Sequence, residues 1–149
     1  MIREMIKTDI PILCDLNIEQ HKQSFFSHLP YERDKLKNYY FNIINNPQRK
    51  CWVIYEDNII VGGCAAHLTQ YTFSYQAMVV DTFFYIKPKY RKGLLAKQLY
   101  DKIYDWAKLS KALEVHLTYA QGGESNRIKQ FYKRMGYKPV ADYYRKEVI

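Results

Sequence analysis

Two stretches of this chain hold residues whose types and spacing could do chemistry. The first runs Lys87-Pro88-Lys89-Tyr90-Arg91-Lys92-Gly93-Leu94-Leu95-Ala96, between a strand-like and a helix-like pattern. Where a strand turns into a helix, the first backbone N–H groups have no intrahelical partner, and with the helix dipole they form an anion site. Lys87, Lys89, Arg91 and Lys92 add positive charge, so a pyrophosphate is the sort of ligand this turn accepts. A solvated basic connection accounts for the same residues equally well. The second stretch is Gly122-Gly123-Glu124-Ser125-Asn126, followed by a helical pattern carrying Ile128, Phe131, Tyr132 and Met135. Asn126 lies near the start of that helix, where its amide can cap the helix or reach a ligand. Tyr132 belongs to the apolar stripe, and spacing alone makes it a core residue. A chemical role requires its hydroxyl to face a reacting atom.

The elements that must position these residues follow from periodicity. Asp9 reads as a helix N-cap and Pro11 suits the first turn after it. Ile12 to Ser24 then forms a helix, with Ile12, Leu16 and Glu19 along one side. A second helix begins near Tyr31. Leu36, Tyr39, Tyr40, Ile43 and Ile44 give it one apolar face, and Asn45-Asn46-Pro47 ends it. The period then changes to strands over Cys51–Tyr55, Ile59–Leu68 and Met78–Ile86, with Glu56-Asp57-Asn58 as the first turn. Leu95, Leu99, Ile103 and Trp106 mark a third helix. Leu113–Tyr119 reads as a strand, Ser125–Met135 as a short helix stopped by Gly136, and Tyr137–Val148 as one or two terminal strands. A short strand at Ile2–Met5 can precede everything. The class is α/β with a mixed central sheet flanked by helices, in the order β-α-α-β-β-β-α-β-α-β with a possible final strand. The strand–helix–strand unit from Val79 to Tyr119 is expected to be a parallel crossover.

Composition narrows the partners. The 149 residues suit one domain, with no linker or repeat to divide them. Net charge is +8, which favours an anionic ligand or partner without choosing among a phosphorylated cofactor, a nucleic acid and an acidic protein. Cys14, Cys51 and Cys64 are odd in number and far apart, which argues against a disulfide framework or a zinc site and for reduced thiols in the cytoplasm. The charged N-terminus, with Arg3, Glu4, Lys7 and Asp9, has no apolar signal region, and no run is long enough for a membrane span.

Taken together, the two stretches resemble the GNAT superfamily of N-acetyltransferases. That family's cofactor motif, Arg/Gln-x-x-Gly-x-Gly/Ala after a strand ending in Val-x-Pro, is similar to Phe84-Tyr85-Ile86-Lys87-Pro88 and Arg91-Lys92-Gly93-Leu94-Leu95-Ala96. The family's later pattern is similar to Asn126, Tyr132 and Gly136-Tyr137, and the element order matches over essentially the whole chain. The Gly62-Gly63 pair fits the family's usual hairpin. One departure is Leu94, which stands where the family's middle glycine is expected, with Gly93 one place early. Leu94 can serve only with negative φ and its side chain turned away. A glycine so shifted is similar to the pattern of some bacteriophage-encoded members, alongside bacterial ones.

The resemblance implies acetyl-CoA as co-substrate, no metal, and direct attack on its thioester by an amine. It implies a pantetheine arm held by the backbone of Phe84, Tyr85 and Ile86, and a pyrophosphate held by Arg91, Lys92, Gly93, Leu94, Leu95 and Ala96, with Asn126 nearby. It implies Tyr132 as the acid that protonates the leaving thiolate. For the general base, Asp81 comes first, being on the central strand on the side of Phe83 and Tyr85; His116 is second and Glu124 third. The acceptor amine, on a small molecule, a protein or a nucleic acid, is expected to be selected by Cys14–Tyr39 and Thr69–Gln76. Two other readings stand beside this one: a basic nucleic-acid-binding module with aromatic stacking platforms, and a GNAT-like binding protein without catalysis.

Overall fold

A computed structural model of the chain describes residues 1–91, 94–118 and 125–149. Five strands form one sheet in the order β1 (Ile2–Glu4), β2 (Arg49–Glu56), β3 (Ile59–Gln70), β4 (Ala77–Ile86) and β5 (Glu114–His116). The first four pair antiparallel, and β5 joins β4 parallel through the helix between them, as the crossover pattern requires. Helices α1 (Ile10–Gln23) and α2 (Arg33–Phe41) cover one face; α3 (Leu95–Leu109) and α4 (Ser125–Arg134) lie on the other. Among the described residues no helix is long and apolar enough to cross a membrane.

The β2–β3 turn shows why the hairpin forms. Asp57 and Asn58 both take positive φ, 48° and 63°, the type I′ geometry that matches strand twist and that Asn and Asp tolerate. The glycines that follow are forced by packing. A Cβ on Gly62 would stand 2.7 Å from the Tyr85 carbonyl oxygen, and one on Gly63 would stand 2.7 Å from that of Trp52.

Each sheet face has its own core. On one, Leu13, Cys14, Leu16 and Tyr40 pack against Cys51, Val53, Ala65, Phe83 and Tyr85. On the other, Leu99, Tyr100, Ile103 and Trp106 pack against Trp52, Ile54, Cys64, Ala66 and Val79. Leu99 and Ile103 are fully buried, each contributing about 1.5–3 kcal/mol of burial free energy.

Several local expectations change. Ile12 is exposed, and the buried stripe of α1 is Ile10, Leu13, Cys14 and Leu16. Asp9 does not cap α1 with its side chain. Its carboxylate instead accepts the Ile6 N–H at 2.8 Å and two bonds from Arg3, at 2.7 and 3.0 Å. Burial alone would raise the pKa of Asp9, but these three donors hold it below the ordinary carboxylate value. The strand expected over Leu113–Tyr119 is shortened to Glu114–His116, and Tyr119 lies outside the described residues. The terminal strands expected at Tyr137–Val148 are absent. Residues 137–149 run without helix or strand, and Val140, Tyr143, Tyr144 and Val148 are exposed.

Candidate active site

The site begins where β4 and β5 part. Their ladder covers three pairs, Met78 with Glu114, Val79 with Val115 and Val80 with His116. At the next step the Asp81 carboxylate takes the place of a main-chain partner, accepting the Thr118 N–H at 2.9 Å and the Thr118 hydroxyl at 3.0 Å. This side-chain plug ends the strand pairing, and among the described residues no strand pairs with the rest of β4 on that side, which faces a gap.

Strand geometry fixes which main-chain groups face that gap. In an antiparallel ladder, successive residues point their N–H and C=O to alternate sides. The Tyr85 carbonyl points to β3, where it meets Gly62, so those of Phe84 and Ile86 point away from β3, into the gap. Side chains meet both: Gln20 Nε2 donates to the Phe84 oxygen at 2.8 Å, and Arg91 Nε to the Ile86 oxygen at 2.7 Å. Of the three β4 residues expected to hold a cofactor arm, Tyr85 is therefore turned away. Its ring lies in the α1 core, its hydroxyl donates to Glu19 and accepts from Gln23, both at 3.2 Å, and Arg91 stands 5.3 Å from its ring centre.

Asp81 is not beside Phe83 and Tyr85 as simple alternation implies. Ala65 pairs with Phe83 while the next residue, Ala66, pairs with Asp81, so Thr82 is an extra residue in β4. This β-bulge puts Phe83 and Tyr85 on the α1 face and Asp81, opposite Ala66, on the α3 face. Thr82 is left on the α1–α2 side, where its hydroxyl bonds that of Tyr39. Asp81 is 6% exposed, and burial pushes its carboxyl up to about 6 against the pull of the two Thr118 donors. A carboxylate with such a pKa is ionised at neutral pH yet close enough to it to accept a proton.

Tyr132 stands across the gap. Its hydroxyl lies 2.9 Å from that of Tyr100 and donates to the Thr118 carbonyl at 3.4 Å. Tyr100 stacks on Phe84 with centroids 4.0 Å apart and planes within 7°. Thr118 thus touches both Asp81 and Tyr132. The end of α4 fixes the tyrosine: Gly136, at φ 88°, and Tyr137 donate back to the Lys133 and Tyr132 carbonyls, a Schellman motif closed by Tyr137 against Tyr132 with centroids 6.0 Å apart.

At the far end of the gap lies the turn into α3. Leu94 has φ −96° and is 66% exposed, the backbone and side-chain placement that a residue replacing glycine needs here. The first helical bond is Gln98 N–H to Leu94 O, so the amides of Leu95, Ala96 and Lys97 precede it without intrahelical acceptors. Lys92, Gly93 and Glu124 lie outside the described residues; Asn126 is exposed in the first turn of α4. His116 ends β5, next to Glu114 at 3.3 Å. Among the described residues no group of three His, Cys, Asp or Glu side chains could hold a metal. Sequence reasoning did not single out Gln20, Tyr100 or Thr118. Tyr100 carries a signal, an aromatic one residue after Leu99 on a strongly amphipathic helix, but Gln20 and Thr118 carry none.

A mixed sheet opened between parallel strands, with a basic strand-to-helix turn at its mouth, defines an α/β protein of the acetyltransferase type. Residues 47–139, more than half the chain, match the family model of the acetyltransferase (GNAT) domain, and the chain belongs to that family. It is similar in fold to a predicted acetyltransferase with acetyl-CoA from Clostridium acetobutylicum, at 18% identity and TM-score 0.81, over 99% of this chain and 95% of that one. It is similar to AAC(6')-Iy in complex with a bisubstrate analog, at 19% identity and TM-score 0.76, over 99% and 98% of the two chains. A third likeness is to glucosamine-6-phosphate N-acetyltransferase from Arabidopsis thaliana, at 15% identity and TM-score 0.76, over 99% and 97%. No curated protein sequence matches the chain.

Proposed function

We propose that this chain is a single-domain N-acetyltransferase that moves an acetyl group from acetyl-CoA to an amine. The observation that carries the reading is the gap: β4 leaves β5 at Asp81, and its free edge leads to the basic turn before α3. In this reading Phe84 and Ile86 offer main-chain groups to the pantetheine arm as Gln20 and Arg91 release their carbonyls. Arg91 and Lys92, with the amides of Gly93, Leu94, Leu95 and Ala96, hold the pyrophosphate, and Asn126 reaches the cofactor from α4. Asp81 accepts the proton of the attacking amine as the C–N bond forms. Tyr132 gives its hydroxyl proton to the thiolate as the C–S bond breaks.

The neighbours whose names include an acetylneamine analog and glucosamine-6-phosphate support an amine acceptor. The test is release of free thiol from acetyl-CoA with a panel of amines. Amine-dependent release is expected, and Tyr132→Phe should lower kcat on the order of 10²-fold with little change in KM for acetyl-CoA. Tight acetyl-CoA binding with no thiol release for any amine would favour a binding protein instead. Stabilisation by oligonucleotides and not by acetyl-CoA would favour a nucleic-acid module.

A further inference from the structure

The strand registers place four residues in one row. Arg49 of β2 lies opposite His67 of β3, His67 opposite Val80 of β4, and Val80 opposite His116 of β5. Residues directly opposite in a sheet share a face, so this row lies on the α1–α2 face, beside Thr82 at the bulge. Its members are only half-buried, and the β4–β5 gap opens at its end.

Charge along the row is uneven. Towards β5, His116 contacts Glu114, whose carboxylate also accepts the Tyr71 hydroxyl. Towards β2 the charge is positive. The Arg49 guanidinium lies 5.8 Å from the centre of the Tyr39 ring, and Tyr39 is tied through its hydroxyl to Thr82. No carboxylate pairs with Arg49 among the described residues. The neighbouring cation, Lys50, is taken by Glu4 on the opposite face. His67 faces Arg49 directly; burial and then the Arg49 charge hold its pKa below the ordinary value. A half-buried arginine beside a histidine, with no carboxylate paired to it among the described residues, has the charge and the donors to hold an anion.

We propose that the acceptor is a small molecule carrying an anionic group, carboxylate or phosphate, which Arg49 and His67 hold while its amine reaches the β4–β5 gap. This deepens the acetyltransferase reading and rests on it. Two strand spacings of about 5 Å separate β2 from β4, and the arginine spans part of that distance, so amine and anion should be separated by a chain of about six carbons.

Three matched probes test this: n-hexylamine, 6-aminohexanoate and 6-aminohexyl phosphate, assayed with wild type, Arg49→Gln and Arg49→Lys. Wild type should favour one or both anionic probes over n-hexylamine by about 10–100-fold in kcat/KM, the range for a charge-assisted pair. Which probe leads distinguishes carboxylate from phosphate. Arg49→Gln should erase the preference while leaving acetyl-CoA affinity and melting temperature unchanged, and Arg49→Lys should keep part of it. Equal use of all three probes by wild type, or a preference surviving in Arg49→Gln, would overturn the proposal. If no probe is acetylated, the amine panel decides the acetyltransferase reading, and the subsite is read separately by NMR titration of the His67 ring protons. At least tenfold weaker binding of the anionic probes to Arg49→Gln supports it, and no binding to wild type overturns it.

Discussion

Replacing Asp81 by asparagine should stabilise this protein and inactivate it. In the fold the Asp81 carboxyl titrates at about 6; its ordinary value is 3.8. Between those pH values the folded chain keeps the Asp81 proton while the unfolded chain has lost it. The folded state binds more protons there, so stability falls as pH rises through this window, and the full cost is present above pH 6. The difference of about two units corresponds to an upper bound on the order of 3 kcal/mol. An asparagine keeps one oxygen for the Thr118 donors and carries no charge. Its melting temperature at pH 7.5 should exceed that of wild type, by roughly 2–4 °C for each kcal/mol regained. Unfolding free energies of both proteins from pH 4 to 8 isolate the effect, because other groups cancel in the difference. The same ionisation should appear in catalysis. Wild-type kcat/KM, referred to the free-base amine, should rise about tenfold from pH 5 to 7 and then level off, and the Asn variant should lose on the order of 10² to 10³-fold of activity. Parallel stability–pH curves, or an active Asn variant, would refute the reasoning.

Other outcomes follow from the same geometry. Leu94→Gly should retain or improve acetyl-CoA affinity by calorimetry, because φ is already −96° and the side chain points outward; Leu94→Pro, which alters the turn and removes an amide, should abolish it. Gly62→Ala would set a Cβ 2.7 Å from Tyr85 O and 3.0 Å from Ile86 Cα, both backbone, and should cost about 1–3 kcal/mol in chemical denaturation while weakening acetyl-CoA binding through Ile86. Tyr132→Phe should shift the melting temperature by only a few degrees, since a single hydroxyl contributes about 1 kcal/mol, while its thiol release falls.

The helices and central strands were legible in the sequence because their burial is periodic. Leu99, Ile103 and Trp106 recur at helical spacing and are buried as expected, as is Tyr40 in α2; Ile43 is buried too, but in the turn after α2, which ends at Phe41. The turn into α3 was legible from its charges and its place between two strong patterns. The side of the sheet that Asp81 occupies was not, because one extra residue, Thr82, reverses the alternation and no residue type marks it. Asp9 misled because a carboxylate before a helix suits a cap, whereas Arg3, six residues earlier, competes for it with two hydrogen bonds. The end of β5 is set by a contact between Asp81 and Thr118, 37 positions apart, which no local pattern encodes. The pairing of Arg49 with His67 is likewise visible only through strand register.

The central claim is that acetyl-CoA occupies the gap along the free edge of β4. Hydrogen exchange measured by mass spectrometry, with and without acetyl-CoA, tests it most directly. Protection is expected in peptides spanning Asp81–Ile86 and Leu94–Gln98, with none at β1 or at the β2 edge that β1 covers. Saturating acetyl-CoA that leaves the β4 and α3 peptides exchanging at their free rates, or protects a different region, would contradict it.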